Sequence, residues 1–222
     1  MRLLPLLALL AILPLGAQPK PAAKPKSKPK PVAAEPAPAP APTPEPAPAP
    51  KPKPRVKLDT SYGPIVLELE PEAAPATVEN FLRYVSEGHY AGTVFHRVIP
   101  GFMIQGGGMT PDLVEKPTHA PVTNEAPATF KAGFKNEPGM VAMARTGDPH
   151  SASSQFYINT AANTSLDHTA PTPEGYGYCV FGRVVEGMEV VAKIEKVTTV
   201  WRRGMQNVPE YAVRIKSAEI LK

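Results

Sequence analysis

Cysteine is almost absent from this 222-residue chain, which contains only Cys179. A single cysteine cannot form an intrachain disulfide, and the sequence has no CxxC pair. The five histidines include no HExxH pair, which would place two imidazoles on one helix face around zinc. The sequence therefore gives no support for redox or zinc chemistry, and we expect neither a metal nor a cofactor. Cys179 lies in an apolar run typical of a core strand, so we expect a buried, inert thiol.

Two other catalytic motifs are also missing. The glycines at 106–108 are not followed by Lys-Ser/Thr, so a phosphate-binding loop is not indicated. The G-x-S-x-G elbow that exposes a nucleophilic serine is absent, which argues against a hydrolase triad built from Ser154, Asp167 and His168. Neighbouring residues such as Asp167 and His168 also point apart on an extended chain.

Large hydrophobic residues are missing from residues 19–54, which contain 15 of the 30 prolines and no Phe, Trp, Tyr, Leu or Ile. Such a composition cannot build a core. Before this segment, the chain starts with Met1-Arg2 and continues with an apolar run at 3–15, which is too short to span a bilayer comfortably. We interpret 1–17 as a signal peptide cleaved after Ala17, and 18–54 as a disordered Lys/Pro/Ala-rich spacer. We expect a periplasmic or secreted protein, with an uncleaved membrane anchor as the alternative.

Positive charge is concentrated in the same part of the chain. Residues 1–54 have eight Lys or Arg and two Glu, a net charge of +6, which leaves −2 for the rest of a chain whose total is +4. The remainder has no basic run interleaved with aromatics, so we do not expect nucleic-acid binding. The spacer lysines either solvate the segment or make weak contact with an anionic envelope or membrane surface.

Residues 55–222 carry the patterns of a folded domain. Residues 55–60 and 65–70 alternate apolar and polar positions around a turn, which predicts a β-hairpin. Apolar residues at helical spacing predict a helix that begins near Pro75 and ends before Gly88. A second, shorter helix is predicted at about 187–194. Further strands are predicted at 94–99, 102–105, 139–144, 155–159, 178–184, 197–201 and 212–220. This order favours a mainly β domain whose sheet closes on itself and is capped by two helices.

The residues with the clearest chemistry lie in 93–108, which reads Thr-Val-Phe-His-Arg-Val-Ile-Pro-Gly-Phe-Met-Ile-Gln-Gly-Gly-Gly. Arg97 alternates with apolar neighbours, and an unpaired guanidinium is costly to bury. We therefore expect Arg97 to face a solvated groove whose wall also holds Phe102, Met103 and Gln105. His96 would then face the core. The alternative for Arg97 is a surface ion pair. We expect the three glycines to end the second strand.

This segment closely resembles the signature of the cyclophilin family of peptidyl-prolyl cis-trans isomerases. The resemblance extends over 55–222 and implies a closed eight-stranded antiparallel barrel with two capping helices. Residues 139–146 and 153–159 resemble further walls of the family's groove. Arg145, Thr146 and the Asn124-Glu125-Ala126 stretch resemble those of bacterial exported members. The resemblance implies catalytic roles for Arg97, Phe102 and Gln105, and substrate-binding roles for Met103, Ala144, Arg145, Thr146, Gln155, Phe156, Leu166 and Tyr178.

The implied reaction is cis-trans isomerisation of X-Pro bonds in proline-containing polypeptides during the folding of exported proteins. A donor such as Arg97 can stabilise the twisted amide without covalent chemistry. Two alternatives stay open: a chaperone or scaffold that holds proline segments with incidental turnover, and an envelope tether in which the spacer has the primary role. We expect a monomer, because a closed barrel offers no free sheet edge.

Overall fold

The computed structural model describes residues 53–221. The predicted signal peptide and nearly all of the predicted spacer lie outside the described residues. Within them the chain forms ten strands, three α-helices and one 3-10 turn. The strands are β1 (Arg55–Thr60), β2 (Gly63–Leu69), β3 (Val94–Ile99), β4 (Met103–Met109), β5 (Met140–Met143), β6 (Phe156–Asn159), β7 (Val180–Glu186), β8 (Thr199–Arg202), β9 (Met205–Pro209) and β10 (Val213–Leu221). The helices are α1 (Pro75–Ser86), α2 (Ala126–Lys131) and α3 (Met188–Glu195), and the 3-10 turn is Thr164–Leu166.

Eight of the strands close into a barrel in the order β1-β10-β3-β4-β6-β5-β7-β2. Every neighbouring pair in this order is antiparallel. The prediction of a closed eight-stranded antiparallel barrel is therefore confirmed. The predicted strand at 197–201 corresponds to β8, which lies outside the barrel and pairs with β9 in a separate two-stranded ribbon.

The barrel core is continuous with the inner faces of both predicted helices. Val78 and Phe81 of α1, and Val191 and Ile194 of α3, join the same buried cluster as the barrel strands. Phe81 packs edge-on against the ring of Phe156 at 5.6 Å between centroids. Burial of this kind contributes about 25 cal/mol for each Å² of apolar surface removed from water, and it orders the helices against the barrel.

A carboxylate from a distant loop satisfies the first turn of α1. Glu125 accepts hydrogen bonds from the backbone N–H groups of Ala76 and Thr77, and from the Thr77 hydroxyl, at 2.7–3.1 Å. The first N–H groups of a helix have no partner within the helix, and a negative charge there is favourable. Pro75 begins the helix, where a missing N–H has no cost.

Three features of the fold differ from the sequence-based expectations. Strand β9 (Met205–Pro209) was not predicted. The glycines at 106–108 do not end β4, which continues through them to Met109. They are needed because side chains there would collide with neighbours, as described below. The short helix α2 was not predicted, because six residues contain too little periodic signal to distinguish a helix from a turn.

None of the helices in the described part of the chain is long and apolar enough to cross a membrane.

The expected burial of Cys179 leads to a prediction about its reactivity. The thiol is buried, and burial raises its pKa to about 12, with a contact to the Thr77 hydroxyl at 3.4 Å opposing that shift. Because the thiolate is the reactive form, we predict that the native protein does not react with a thiol reagent such as DTNB at pH 8. The same protein in guanidinium chloride should release one equivalent of chromophore. Rapid labelling of the folded protein would contradict this description of the core.

Candidate active site

A cleft on the outer face of the barrel brings together most of the residues that the sequence singled out. It has a volume of about 90 Å³. Its lining consists of Arg97, Phe102, Met103, Gln105, Ala144, Arg145, Tyr157, Leu166 and Tyr178. A second pocket of about 150 Å³ continues from it and shares Gln105, Ala144 and Arg145. Its other lining residues are Glu115, Thr146, Ser151, Ser153 and Gln155.

The register of β3 and β4 directs Arg97 into the cleft. Phe95 pairs with Gly106 and Arg97 pairs with Gln105, so His96 is an extra residue on β3 at this point. A bulge of this kind re-aims the side chains beside it. His96 is buried, but not in the barrel core as expected: Phe95 and Val98 are the core residues of this strand, and His96 lines a small pocket with Arg202 and Val208 of the β8-β9 ribbon. Burial lowers the pKa of His96 to about 4, with the charge of Arg97 also lowering it. His96 is therefore neutral near pH 7, and Arg97 is the charged group of the pair.

Arg97 makes a single side-chain hydrogen bond within residues 53–221. Its Nη1 donates to Oε1 of Gln105 at 3.3 Å, and no carboxylate in that range lies within ion-pair distance. The surface ion pair considered as an alternative for Arg97 is therefore absent from the described residues. The half-buried guanidinium keeps most of its donor capacity directed toward the cleft.

Arg145 has a different role, although it lines the same cleft. Its guanidinium donates to the backbone carbonyls of Thr146, Pro173 and Gly177 at 2.9–3.0 Å. It also lies over the ring of Tyr178, 4.6 Å from the centroid. These contacts tie the rim after β5 to the loop before β7. Arg145 therefore fixes one wall of the cleft and is not available as a free donor.

Tyr157 forms the apolar floor between these walls. Its ring packs edge-on against Tyr178 at 5.8 Å, and its hydroxyl donates to Oδ1 of Asn136 at 2.8 Å. Oδ1 of Asp167 in turn accepts from the backbone and the side chain of Asn136. Burial raises the pKa of Tyr157 well above its ordinary value, so the hydroxyl stays protonated and can donate.

The glycine run makes room for the side chains around the cleft. A Cβ on Gly106 would lie 2.9 Å from both the Phe95 ring and the Val94 carbonyl oxygen, and one on Gly107 would lie 2.8 Å from the Phe156 ring. A Cβ on Gly108 would lie 2.3 Å from Cγ of Gln155. Real Cβ atoms do not approach so closely, so the absence of side chains here is a packing requirement. The three glycines allow Phe156 below the sheet and Gln155 above it to approach the β4 backbone.

One site residue expected from the sequence is not in the cleft. Phe156 is fully buried in the barrel interior, where it packs against Phe81, Tyr90 and Phe95. Consecutive residues of a strand point to opposite faces, so Gln155 and Tyr157 lie on the outer face while Phe156 lies on the inner one. The prediction that Phe156 binds substrate in the groove was wrong. Tyr157 occupies that place.

The other expected residues lie in one of the two pockets: Thr146 and Gln155 line the second, and the remainder line the first. Sequence reasoning missed Glu115, Ser151 and Ser153 in the second pocket. They lie outside the regular strands, where no periodic signal marks which side chains face a pocket. The structure also excludes a hydrolase triad, because Ser154 is fully buried and Asp167 is bound to Asn136.

A fold of this kind, a closed eight-stranded barrel with an outer cleft that holds two arginines, a glutamine and an apolar floor, defines a recognisable class of protein. The model of the cyclophilin-type peptidyl-prolyl cis-trans isomerase family matches residues 55–220. This chain belongs to that family, whose members are peptidyl-prolyl cis-trans isomerases.

Individual relatives agree with the family match. A peptidyl-prolyl cis-trans isomerase of Streptomyces antibioticus is 58% identical over 166 residues, which cover 75% of this chain and 98% of the relative. The peptidyl-prolyl cis-trans isomerase B of Escherichia coli is 49% identical over 166 residues, which cover 74% of this chain and 98% of the relative. A Cryptosporidium parvum cyclophilin crystallised in the presence of the dipeptide Ala-Pro has a TM-score of 0.59 at 24% identity, covering 76% of this chain and 99% of the other.

The different positions of Phe102 and Phe156 predict different effects on stability. Phe156→Ala should lower the free energy of unfolding by about 3–5 kcal/mol, because it leaves a cavity in the barrel interior. Phe102→Ala should cost less than half as much, because this ring is only partly buried on the cleft wall. Urea unfolding followed by circular dichroism measures both values. Equal losses would mean that Phe156 is not a core residue.

Proposed function

We propose that the cleft isomerises X-Pro bonds through Arg97, which donates a hydrogen bond to the prolyl nitrogen of the twisted amide. The observation that carries this proposal is the position of the Arg97 guanidinium on the cleft wall, with Gln105 as its hydrogen-bond partner and an apolar floor opposite. Phe102, Met103, Tyr157 and Leu166 would surround the pyrrolidine ring. The Ala-Pro dipeptide named with the Cryptosporidium parvum cyclophilin supports a proline-containing polypeptide as the substrate.

The chemistry follows from the electronic structure of the amide. Resonance keeps the X-Pro bond planar against a barrier of about 18–20 kcal/mol. As the bond twists, the prolyl nitrogen loses its conjugation, becomes pyramidal and gains a lone pair that accepts a hydrogen bond. A donor directed at this lone pair binds the twisted state better than either planar state, which lowers the barrier. The charge of an arginine is fixed at every working pH, and its planar fork holds its direction.

The required stabilisation is within the range of a non-covalent site. Uncatalysed isomerisation takes tens to hundreds of seconds. Acceleration to about a thousand turnovers per second requires roughly 6–7 kcal/mol. A charged donor in a partly desolvated cleft, together with fixed binding of the chain on either side of the bond, supplies energies of this size. Arg145, which secures the rim, would help to hold one side of the substrate while the other side rotates.

Replacement of Arg97 tests this mechanism. Arg97→Ala should lower kcat/KM toward an Ala-Pro peptide at least tenfold in a protease-coupled assay, with an unchanged circular dichroism spectrum. Arg97→Lys should recover only part of the loss, because an ammonium lacks the planar fork. An unchanged rate for Arg97→Ala would defeat the mechanism. If client refolding also stayed intact, a chaperone that holds proline segments would be the better description.

We further propose that the protein acts as a monomer on polypeptides that have been exported into the periplasm or secreted. The apolar run at 3–15 and the small residues that end at Ala17 support this location. The closed order of the barrel strands supports the monomer. The lysines before residue 54 would give at most weak contact with an anionic membrane surface, at about 1 kcal/mol each.

N-terminal sequencing of the protein from the envelope fraction of an expressing bacterium tests the proposed location. The mature chain should begin at Gln18. A chain that keeps Met1 and stays in the membrane fraction would show an uncleaved anchor, and a chain that keeps Met1 in the cytoplasm would overturn export.

A further inference from the structure

Four polar side chains form a continuous hydrogen-bonded chain from the cleft to the end of the second pocket. Nη1 of Arg97 donates to Oε1 of Gln105 at 3.3 Å, and Nε2 of Gln105 donates to Oε1 of Gln155 at 3.0 Å. Nε2 of Gln155 then donates to Oε1 of Glu115 at 3.2 Å. We refer to Arg97, Gln105, Gln155 and Glu115 together as the amide relay.

The two ends of the amide relay permit only one direction for its hydrogen bonds. A guanidinium can only donate and an ionised carboxylate can only accept, whereas a glutamine amide does both. All three bonds are satisfied only when both amides turn their oxygen toward Arg97 and their nitrogen toward Glu115. The chemical identity of the two terminal groups therefore sets the orientation of the two groups between them.

We propose that Glu115 is a positioning residue for the isomerase reaction, because it fixes the direction of the amide relay and so keeps the Gln105 oxygen facing Arg97. This inference rests on the proposed role of Arg97 as the donor to the prolyl nitrogen. Glu115 contributes to the aim of that donor from the far end of the relay. Glu115 and Gln155 both lie outside the cleft lined by Arg97 and Gln105, and Glu115 is the member at the far end of the relay.

The backbone places Glu115 where this role requires it. Glu115 forms an isolated bridge with Met109 at the end of β4, and the next residue, Lys116, donates its backbone N–H to the carbonyl of Gly108 at 2.9 Å. The loop between Met109 and Glu115 is thereby closed onto the strand that carries Gln105. The Glu115 carboxylate is exposed, but its backbone is held in register with the relay.

Gly108 supplies the space for the relay's third member. The Gln155 side chain occupies the space that a Cβ on residue 108 would need. Such a Cβ would lie only 2.3 Å from Cγ of Gln155. Gly108 has no left-handed backbone angle that would exclude alanine. Gly108→Ala should therefore displace the Gln155 side chain, which is flexible, while the strand is kept.

Replacement of Glu115 by lysine should reverse the hydrogen bonds at that end of the amide relay, so that they conflict with the bond at the Arg97 end. A lysine at 115 can only donate, so Gln155 would turn its oxygen toward it and its nitrogen toward Gln105. Gln105 would then accept from Gln155, and its own NH₂ group would face the guanidinium of Arg97. Two donors in contact cannot form a hydrogen bond, and Arg97 would lose its only side-chain partner among the described residues.

The experiment compares Glu115→Gln, Glu115→Ala and Glu115→Lys by NMR exchange at saturating Ala-Pro peptide, which reports the rate on the enzyme. Glutamine can still accept from Gln155, so Glu115→Gln should stay within about twofold of the wild type. Loss of one net hydrogen bond predicts roughly a threefold decrease for Glu115→Ala, and the reversed relay predicts about tenfold for Glu115→Lys. KM should change by less than about twofold in each variant.

The matched control is Asp112→Lys, which makes the same charge change at another exposed position of the same loop. Its rate should equal that of the wild type. The side-chain amide resonances of Gln105 and Gln155 provide a readout that does not depend on activity. Both should shift in Glu115→Lys and neither in Asp112→Lys.

Gly108→Ala is a second way to break the amide relay, because it displaces the Gln155 side chain. It should lower the rate in the presence of wild-type Glu115, and adding Glu115→Lys should then cause little further loss, because the relay is already broken. Additive losses in the double variant would show that the two residues act separately and would overturn the inference.

Three other results would also overturn it: equal rates in all Glu115 variants, a Glu115→Gln loss as large as that of Glu115→Lys, or a change confined to KM that follows the charge of the peptide. The second would indicate a long-range charge effect, and the third a role in substrate recognition. Full activity of Arg97→Ala would instead refute the proposed function, while the amide resonances would still report whether the relay has the stated direction.

Discussion

The structure depends on a guanidinium that is held at a barrel wall with no carboxylate of residues 53–221 against it. A buried or half-buried arginine is ordinarily paired with an acid, because an uncompensated charge in a low dielectric is costly. Arg97 instead meets the neutral oxygen of Gln105, while the cleft leaves the rest of the fork open to solvent or to a ligand. A carboxylate in direct contact would neutralise the field that the cleft offers. A neutral amide orients the group and leaves its charge effective.

The two arginines of the cleft, Arg97 and Arg145, use the same guanidinium group in different roles. Arg145 places its donors on backbone carbonyls of two segments, so its fork is used to hold a wall. Arg97 has few protein partners and faces the space between the walls. A rigid wall beside an available donor is the arrangement that pre-organised sites require, since the donor does not have to be reoriented after a ligand has bound.

Much of the fold was predictable because burial imposes a period on the sequence. Alternation indicated the strand that carries Arg97, and helical spacing located α1, but the bulge at His96, which places Phe95 and Val98 in the core, was not predicted. The same rule was available at Gln155 and Phe156, which cannot share a face of one strand. The expectation that both residues line the groove did not follow this alternation. In the structure Gln155 lines a pocket and Phe156 lies in the core. Glu115 had no such signal, because it lies in a loop and its importance depends on a partner 40 residues later in the chain. The glycines at 106–108 were predicted to end a strand, whereas the strand continues through them and they make room for Phe156 on one side and Gln155 on the other.

The capping of α1 by Glu125 has a consequence for the order of events in folding. The helix and the carboxylate that completes its first turn are separated by 48–49 residues of sequence. Closing so long a segment costs entropy before the contact returns any energy. The amides of Ala76 and Thr77 therefore gain lasting protection from solvent exchange only when the loop before α2 has docked, although the middle of α1 has all its partners within the helix. The time at which these two amides become protected from exchange therefore reports when that loop docks during folding.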